Sequence, residues 1–261
     1  MLRSMYSGIS GMKNFQTKLD VIGNNIANVN TYGFKKGRVV FKDMINQNIS
    51  GASASGASRG GVNAKQIGLG SQISTIDTIH TTGSLQSTGR VLDLAVSGSG
   101  FFQVTDATGG ETLYTRAGNF YLDESGDLVT GDGFYLSPKI NIPTDAKSMS
   151  IGQDGTVNFV DKDGVLTPAG QLQLAKFPND GGLEKAGGNY FKVTTNSGAP
   201  IVDSPGVSGI GTIESGFLEM SNVDLSEEFT EMITAQRGFQ ANTRIITTSD
   251  EILQELVNLK R

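Results

Sequence analysis

The 261-residue chain carries a net charge of −5 and has a pI near 5.0, so it lacks the basic excess with which nucleic-acid-binding proteins neutralise phosphates. It contains no cysteine, which excludes disulfides, thiolate metal sites and a cysteine nucleophile. Glycine is abundant at 35 residues and proline is scarce at 6, which favours a turn-rich β fold over a disordered chain.

The N-terminal residues have neither a continuous apolar run nor a small-residue cleavage site, so we expect no secretory signal peptide. No stretch approaches the roughly 18 apolar residues that would span a bilayer. We therefore expect either a cytoplasmic protein or one that is exported by a route without a cleaved signal.

An amphipathic helix is predicted from Leu2 to about Asn28. Apolar residues recur there at intervals of seven, with others three or four positions away, as in a coiled coil. Gly8, Gly11 and Gly23 lie inside the helix, and each costs about 1 kcal/mol relative to alanine. Because such a helix is marginal alone, we expect it to need a packed partner. Its apolar stripe consists of Met5, Ile9, Met12, Phe15, Leu19, Ile22 and Ile26.

The segment from about Asn46 to Asn63 is rich in glycine, serine and alanine. This composition is typical of a flexible linker. The segment could instead order as an extended hairpin against neighbouring molecules. The sequence alone leaves both alternatives open.

The middle of the chain, from about Ile67 to Phe217, is predicted to form an all-β body. Short apolar segments alternate there with turns that contain glycine beside a polar residue, a hairpin signal. These turns carry Gly126, Gly133, Gly155 and Gly164. The candidate strands are 91–96, 101–105, 113–116, 119–122, 134–136, 156–160, 171–177 and 190–194.

A second helix is predicted from Asp224 to about residue 259. Asp224 and Glu227 indicate a capping box, and acidic residues at the start with Lys260 and Arg261 at the end complement the helix dipole. Apolar residues at a strict interval of seven predict a left-handed supercoil, for which the N-terminal helix is the simplest partner. The remaining apolar surface would meet neighbouring subunits. The stripe consists of Leu225, Phe229, Met232, Phe239, Ile246 and Leu253.

These elements combine into an α+β fold. The N- and C-terminal helices form a coiled-coil-like base, and an all-β body domain is inserted between them. The predicted divisions are 1–30 and 222–261 for the terminal helical assembly domain, 31–66 for the connecting segment, and 67–221 for the β-rich body.

Candidate catalytic groups are sparse. His80 is the only histidine, and a surface or packing role fits it better than catalysis. Asp123, Glu124 and Asp127 flank a turn, where acidic residues usually accept local hydrogen bonds. Residues 161–164 lack the ligand spacing and final glutamate of an EF-hand. We therefore predict a protein that is not an enzyme, with no cofactor, no metal site and no small-molecule substrate.

The segment from Asn24 to Lys35 resembles the signature of the bacterial flagellar rod and hook family. Its core has the pattern Ala-Asn-x-x-Thr-x-Gly-Phe-Lys, in which Gly33 permits a turn and Phe34 could anchor the departing chain. Similar segments lie at 100–133 and 215–242. The signature residues are Asn25, Ala27, Asn28, Asn30, Thr31, Gly33, Phe34 and Lys35.

The resemblance implies a subunit that is exported unfolded by the flagellar type III apparatus, without a cleaved signal peptide. It would join a tubular homopolymer in the basal body whose inner wall is formed by the terminal helices. Length and body size are most similar to the distal rod type, which transmits torque from motor to hook. A hook subunit is the alternative, and a secreted carbohydrate-active β protein is a remote one. The partners implied are further copies of the chain and neighbouring rod, hook and export proteins, with no nucleic acid.

Overall fold

The structure is a computed structural model that describes residues 2–56, 59–106 and 110–259. Its two terminal helices and antiparallel β body confirm the predicted α+β class. The chain divides into two compact units, and residues 37–77 belong with the helices rather than with the body. The domain boundaries predicted from the sequence, which divide the chain into 1–30, 31–66, 67–221 and 222–261, stay a prediction. The helical unit comprises Met1–Ala27, Gly37–Asp77 and Asp224–Arg261, and the β unit comprises Asn28–Lys36 and Thr78–Val223.

In the helical unit, α1 packs against both α2 and strand β1. Strand β1 pairs with β4, and β2 pairs with β3. The Asp224 carboxylate accepts a hydrogen bond from the Ser226 amide at 2.8 Å, which identifies Asp224 as the N-cap of α2. Lys260 and Arg261 lie outside the described residues. The elements are α1 (Leu2–Ala27), β1 (Gly37–Asp43), β2 (Asn46–Ser50), β3 (Lys65–Gly68), β4 (Ser71–Thr78) and α2 (Leu225–Asn258).

The glycine-, serine- and alanine-rich segment forms an antiparallel hairpin built on β2 and β3. Isolated bridges continue the pairing as far as Gly56 and Arg59. Every described residue between 46 and 68 is exposed. Of the two alternatives that the sequence leaves open, the structure therefore has the hairpin rather than the irregular linker.

The β unit is built from short strands whose described pairings are antiparallel. A 3₁₀ turn at Asp180–Gly182 interrupts the series. The strands are β5 (Leu85–Ser87), β6 (Leu94–Ser97), β7 (Phe101–Thr105), β8 (Leu113–Thr115), β9 (Phe120–Leu122), β10 (Leu128–Thr130), β11 (Tyr135–Ser137), β12 (Ser148–Ile151), β13 (Thr156–Val160), β14 (Leu166–Gln171), β15 (Leu174–Lys176), β16 (Glu184–Gly187), β17 (Tyr190–Lys192), β18 (Ile201–Asp203), β19 (Thr212–Ser215) and β20 (Phe217–Glu219).

The largest sheet of the β unit has nine strands, in the order β16-β17-β8-β7-β11-β10-β9, with β15 paired to β7 and β18 paired to β15. Strands β12, β13 and β14 form a three-stranded sheet, and β6 pairs with β19 and β5 with β20. The eight strands predicted from the sequence all occur, with ends that differ by up to three residues. The four predicted turn glycines all have a positive φ between 78° and 86°, a region that favours glycine.

The core of the β unit lies between these sheets and is aliphatic and aromatic. Removing this apolar surface from water is the main stabilising contribution to the unit. Its largest cluster comprises Leu92, Leu94, Val96, Phe102, Val104, Phe120, Leu128, Leu136, Ile140, Ile142, Val157, Leu172, Leu174, Ile210 and Ile213. A second cluster comprises Phe101, Tyr114, Ala175, Phe177, Leu183 and Phe191.

Candidate functional site

Helices α1 and α2 run antiparallel in the helical unit. Gly8 near the start of α1 lies against Ile246, and Asn25 near its end contacts Glu228. Residue numbers thus rise along α1 while they fall along α2. The N-terminal helix is therefore the partner of the C-terminal helix within one chain, as the heptad spacing predicts.

The face of α2 that meets α1 alternates steps of four and three residues, which is a heptad seam. One set of positions is apolar and half-buried, and the other is small or polar and mostly buried. We call these eight positions the helix seam. The apolar set is Met232, Phe239, Ile246 and Leu253. The small or polar set is Glu228, Ala235, Asn242 and Ser249.

Glycines allow the two helices to approach closely. A Cβ atom added to Gly238 would lie 2.6 Å from the ring of Phe15, and one added to Gly11 would lie 2.9 Å from the Asn242 amide oxygen. Gly23, by contrast, has no heavy atom within 4 Å of such a position. Gly11 and Gly238 therefore serve packing, and this offsets their low helix propensity.

A second face of α1, next to the one that meets α2, packs on the ribbon formed by β1 and β4. The rings of Phe15 and Phe41 lie 5.9 Å apart in an edge-to-face arrangement. The side-chain amide of Asn14 donates to the hydroxyl of Ser71 at 2.8 Å. Helix α1 thus contacts both α2 and a β ribbon.

Asn25 is a signature residue at the end of α1, and it is 1% exposed. Its Nδ2 donates to the Gly37 carbonyl at 2.9 Å, while the Gly37 amide donates to its Oδ1 at 3.0 Å. Its Nδ2 also lies 3.1 Å from the buried carboxylate of Glu228. One amide side chain thereby forms hydrogen bonds with the backbone of the first residue of β1 and with a buried carboxylate of α2.

The signature continues through Asn28–Lys36 in the β unit, where the chain turns. The Thr31 amide donates to the Asn28 carbonyl at 3.1 Å, and the Gly33 amide donates to the Glu219 carbonyl at 2.8 Å. Gly33 has φ +69°, and a Cβ there would lie 2.6 Å from the backbone nitrogen of Ala117. This turn therefore requires glycine.

A buried charged cluster follows the turn, and its three members are Lys35, Glu219 and Arg116, each at most 3% exposed. Both cations pair with the Glu219 carboxylate. The Lys35 ammonium also donates to the Thr81 carbonyl at 2.8 Å, and the Gly83 amide donates to Glu219 Oε1 at 2.9 Å. Burial lowers the pKa of Lys35, and the neighbouring Glu219 carboxylate opposes this shift.

His80 lies beside this cluster, with ring centroids 5.6 Å from Phe101 and 5.3 Å from Phe191. Neither imidazole nitrogen has a hydrogen-bond partner among the described residues. Burial, together with the charges of Lys35 and Arg116, lowers the pKa of His80 to about 4. The imidazole is therefore neutral near pH 7 and packs as an aromatic ring.

Three family descriptions match successive parts of the chain. Residues 5–35 match "Flagella basal body rod protein". Residues 95–159 match "Flagellar hook protein FlgE/F/G D1 domain", and residues 214–259 match "Flagellar basal body rod FlgEFG protein C-terminal". The first match covers the signature, and the third covers all of α2.

Curated relatives match over the whole length. The flagellar basal-body rod protein FlgG of Bacillus subtilis is 64% identical over 266 residues, which cover all of both chains. The chain belongs to the FlgG family of flagellar basal-body rod proteins. FlgG of Agrobacterium fabrum is 42% identical over 96% of this chain and 97% of its own length. The flagellar hook protein FlgE of Borreliella burgdorferi is 31% identical over all of both chains.

In this FlgG-family chain the predicted assembly residues fall into three groups. Ile22 is buried within the helical unit. Ile9, Leu225 and Phe229 are 40–50% exposed, so they are not covered by the chain itself. The others are half-buried around the helix pair: Met5, Met12, Phe15, Leu19, Ile26, Met232, Phe239, Ile246 and Leu253.

The FlgG-type signature residues also separate by environment. Gly33, Phe34 and Lys35 are buried in the β unit. Ala27 and Asn30 are exposed, while Asn28 and Thr31 are half-buried. The hydrogen bonds of Asn25 and the buried environment of Gly33 and Lys35 give the signature a structural role at the end of α1 and in the following turn.

Sequence reasoning missed the polar partners of these residues. Glu219 lies in the sequence Phe-Leu-Glu-Met, and Arg116 follows strand β8. A charged residue among apolar neighbours is a usable signal of a buried ion pair, because an unpaired buried charge is costly. Glu228 and Asn242 occupy the same heptad seam, but as polar residues they add nothing to an apolar repeat.

Proposed function

We propose that this chain is a structural subunit of the flagellar distal rod. It assembles with further copies of itself into a tubular polymer, chiefly through the helical unit, and transmits torque from motor to hook. Neighbouring rod, hook and export proteins are the other proposed partners. This role is structural and not catalytic. The 64% identity to a basal-body rod protein, against 31% to a hook protein, supports the rod over the hook.

The observation that carries self-assembly is a set of apolar side chains on α2 that the chain leaves uncovered. Phe229 and Ile233 are 50% and 59% exposed near the start of the helix. Ile252, Leu256 and Val257 are 48–66% exposed near its end. Monomeric proteins rarely leave such rows in water, so the rows favour a protein interface. Burying each side chain at about 25 cal/mol per Å² adds a small increment at every subunit contact.

We also infer that the chain is exported unfolded and forms its helix pair when it joins the polymer. The helix seam supports this, since half of its positions are small or polar and bury little apolar surface. Fusion of a stably folded domain to the C-terminus tests this export. The fusion should accumulate in the cytoplasm, and its appearance in rods would contradict unfolded export.

The assembly test uses neighbouring residues of α2. Both Ile233 and Thr234 are exposed, but only Ile233 is apolar. Ile233→Asp should reduce incorporation into isolated hook–basal bodies at least tenfold, because a carboxylate would have to be desolvated at the interface. Thr234→Asp is the matched control and should incorporate almost normally.

The position of the wild-type chain in isolated hook–basal bodies tests the distal-rod assignment separately. The wild-type chain should be found within the rod and not along the external hook. A wild-type chain that labels the hook would contradict the distal-rod assignment. Normal incorporation of Ile233→Asp would contradict the proposed use of this apolar row.

A further inference from the structure

An apolar pocket of about 430 Å³ lies between the first turns of α1 and the end of the β1–β4 ribbon. We call it the N-helix pocket. Its apolar side chains include Tyr6, Ile9 and Met44, which are 70%, 40% and 37% exposed. Its charged lining residues are Arg3 and Lys13, both cationic and exposed. A ligand for this pocket is therefore apolar with negative charge at its edge.

The end of α2 has the complementary character. If the register of the helix pair continues one residue for one, the start of α1 lies opposite residue ~251 of α2. The last turns of α2 thus extend past α1. Ile252, Leu256 and Leu259 share one face there at helical spacing, and they are 48%, 50% and 82% exposed. The charged residues at 250–259 are acidic and exposed, namely Asp250, Glu251 and Glu255.

The same chain cannot bring these two surfaces together. On α1, Tyr6 and Lys13 lie on the opposite face from Gly8 and Phe15, which contact α2. The helix end therefore lies on one side of α1 and the N-helix pocket on the other. Two complementary surfaces on different sides of a subunit make a heterologous contact, which generates an open helical filament whenever the rotation between subunits does not close a ring.

We propose that the end of α2, residues 252–259, docks in the N-helix pocket of a second copy of this chain. This inference rests on the proposed function and names the donor and acceptor surfaces of one subunit contact. The lengths agree, since Ile252 and Leu259 are seven positions apart, as are Tyr6 and Lys13, and each interval spans about 10 Å of helix. Glu251 and Glu255 would then approach the cationic rim.

Cross-linking tests the contact directly, because the natural chain has no cysteine. Tyr6→Cys and Leu256→Cys are placed in separate full-length chains that are co-expressed in flagellated cells lacking the natural copy. After oxidation, hook–basal bodies should contain the mixed disulfide dimer at least tenfold above the control pair. The control replaces Tyr6→Cys with Glu124→Cys, at an exposed turn of the β unit.

Charge exchange gives a second, independent measurement. Lys13→Glu or Glu255→Lys alone should reduce incorporation several-fold, and co-expression of the two single variants should restore it. The same exchange at Lys162 and Glu124, two exposed residues of the β unit, should have no such pattern. In cells that express only one variant, positions 13 and 255 carry like charges at every contact. The mixture also provides contacts in which these two positions carry opposite charges.

The outcomes separate this contact from the proposed function. If the wild-type chain does not enter rods, the proposed function fails. If the wild-type chain and both cysteine variants enter rods but the mixed dimer stays at the control level, the docking proposal is overturned while the rod assignment stands. Dimers of Leu256→Cys with itself, without mixed dimers, would also overturn it.

Discussion

Asn25 and Gly37 exchange two hydrogen bonds, of 2.9 and 3.0 Å, between the end of α1 and the start of β1. The pair resembles one rung of a sheet ladder in which a side-chain amide replaces a peptide. It also places the Asn25 amide against the buried Glu228 carboxylate. A signature residue thus fixes where the chain goes after the helix.

Asn25→Ala should destabilise the helical unit by about 1–3 kcal/mol, because the Gly37 peptide and the Glu228 carboxylate lose a partner in a buried place. Urea unfolding followed by circular dichroism at 222 nm measures the loss. Gln16→Ala, at an exposed position of the same helix, is the control. Equal stability of the two variants would contradict a structural role for the pair.

Two glycines inside helices should respond oppositely to alanine. Gly238→Ala should lower the free energy of unfolding, since its methyl group would meet the Phe15 ring at 2.6 Å. Gly23→Ala should raise it by up to about 1 kcal/mol, because the position is open and alanine favours the helix. Thermal unfolding of both variants measures the signs. Stabilisation by Gly238→Ala would show that the helices can move apart without cost.

Gly33→Ala should destabilise the β unit by at least about 2 kcal/mol. Its positive φ and the backbone of Ala117 leave no room for a Cβ atom. Gly131→Ala is the control, because the nearest atom to its added Cβ is 3.8 Å away. The two variants are compared by urea unfolding followed through near-ultraviolet circular dichroism. Similar stabilities would indicate that the turn can relax.

The buried pairs around Glu219 should matter far more than an exposed pair. Glu219→Gln removes the charged carboxylate that pairs with both Lys35 and Arg116, so we expect a loss of about 3–5 kcal/mol. Asp145→Asn removes the partner of Lys162, where the two side chains are 58% and 63% exposed, and should cost less than about 1 kcal/mol. Denaturant midpoints compare the variants. A small effect of Glu219→Gln would mean that water reaches the cluster.

His80 makes stability depend on pH. Its pKa is about 4 in the folded protein and ordinarily 6.5, so the unfolded chain binds a proton more readily. The stability is complete above pH 6.5 and is lost as the pH falls toward 4. The cations Lys35, Arg116 and Lys185 face the ring, and Glu219 neutralises only part of their charge.

Between pH 7 and pH 5 this loss should amount to about 1–2 kcal/mol after allowance for solvent screening. Urea unfolding at the two pH values, for the wild type and for His80→Phe, isolates the contribution of His80 from that of the carboxylates. The variant should lose less stability than the wild type. Parallel losses in both proteins would assign the acid sensitivity to other groups.

The helices and the eight predicted strands could be found from the sequence because each rests on a local signal. Apolar spacing marks α1 and α2, and glycine turns separate the strands. Only the apolar half of the helix seam could be predicted from the sequence. Ala235 and Ser249 are too small or too polar to add to an apolar pattern, and they are buried because they face α1. The pairing of Lys35 with Glu219 joins residues 184 positions apart, which no local pattern encodes.

The hairpin of β2 and β3 could not be predicted from the sequence either. Its glycine, serine and alanine residues are equally compatible with a linker, because pairing between short side chains leaves almost no hydrophobic pattern. The ladder that begins at Asn46 and Gly68 is held by backbone pairing and by a polar contact in which the Gln66 side chain donates to Asn48 Oδ1. The glycines of α1 indicated a weak helix, because their low helix propensity can be read from the sequence. Their close contact with α2 cannot.

The antiparallel course of α1 and α2 has a practical consequence for labelling. Gly8 and Ile246 are neighbours, so a fluorescent protein or affinity tag attached at either terminus would crowd the same end of the helical unit. A small epitope inserted beside Glu124 would lie in an exposed turn of the β unit and outside the helical unit. Imaging of subunit addition in living cells should therefore begin from an internal label.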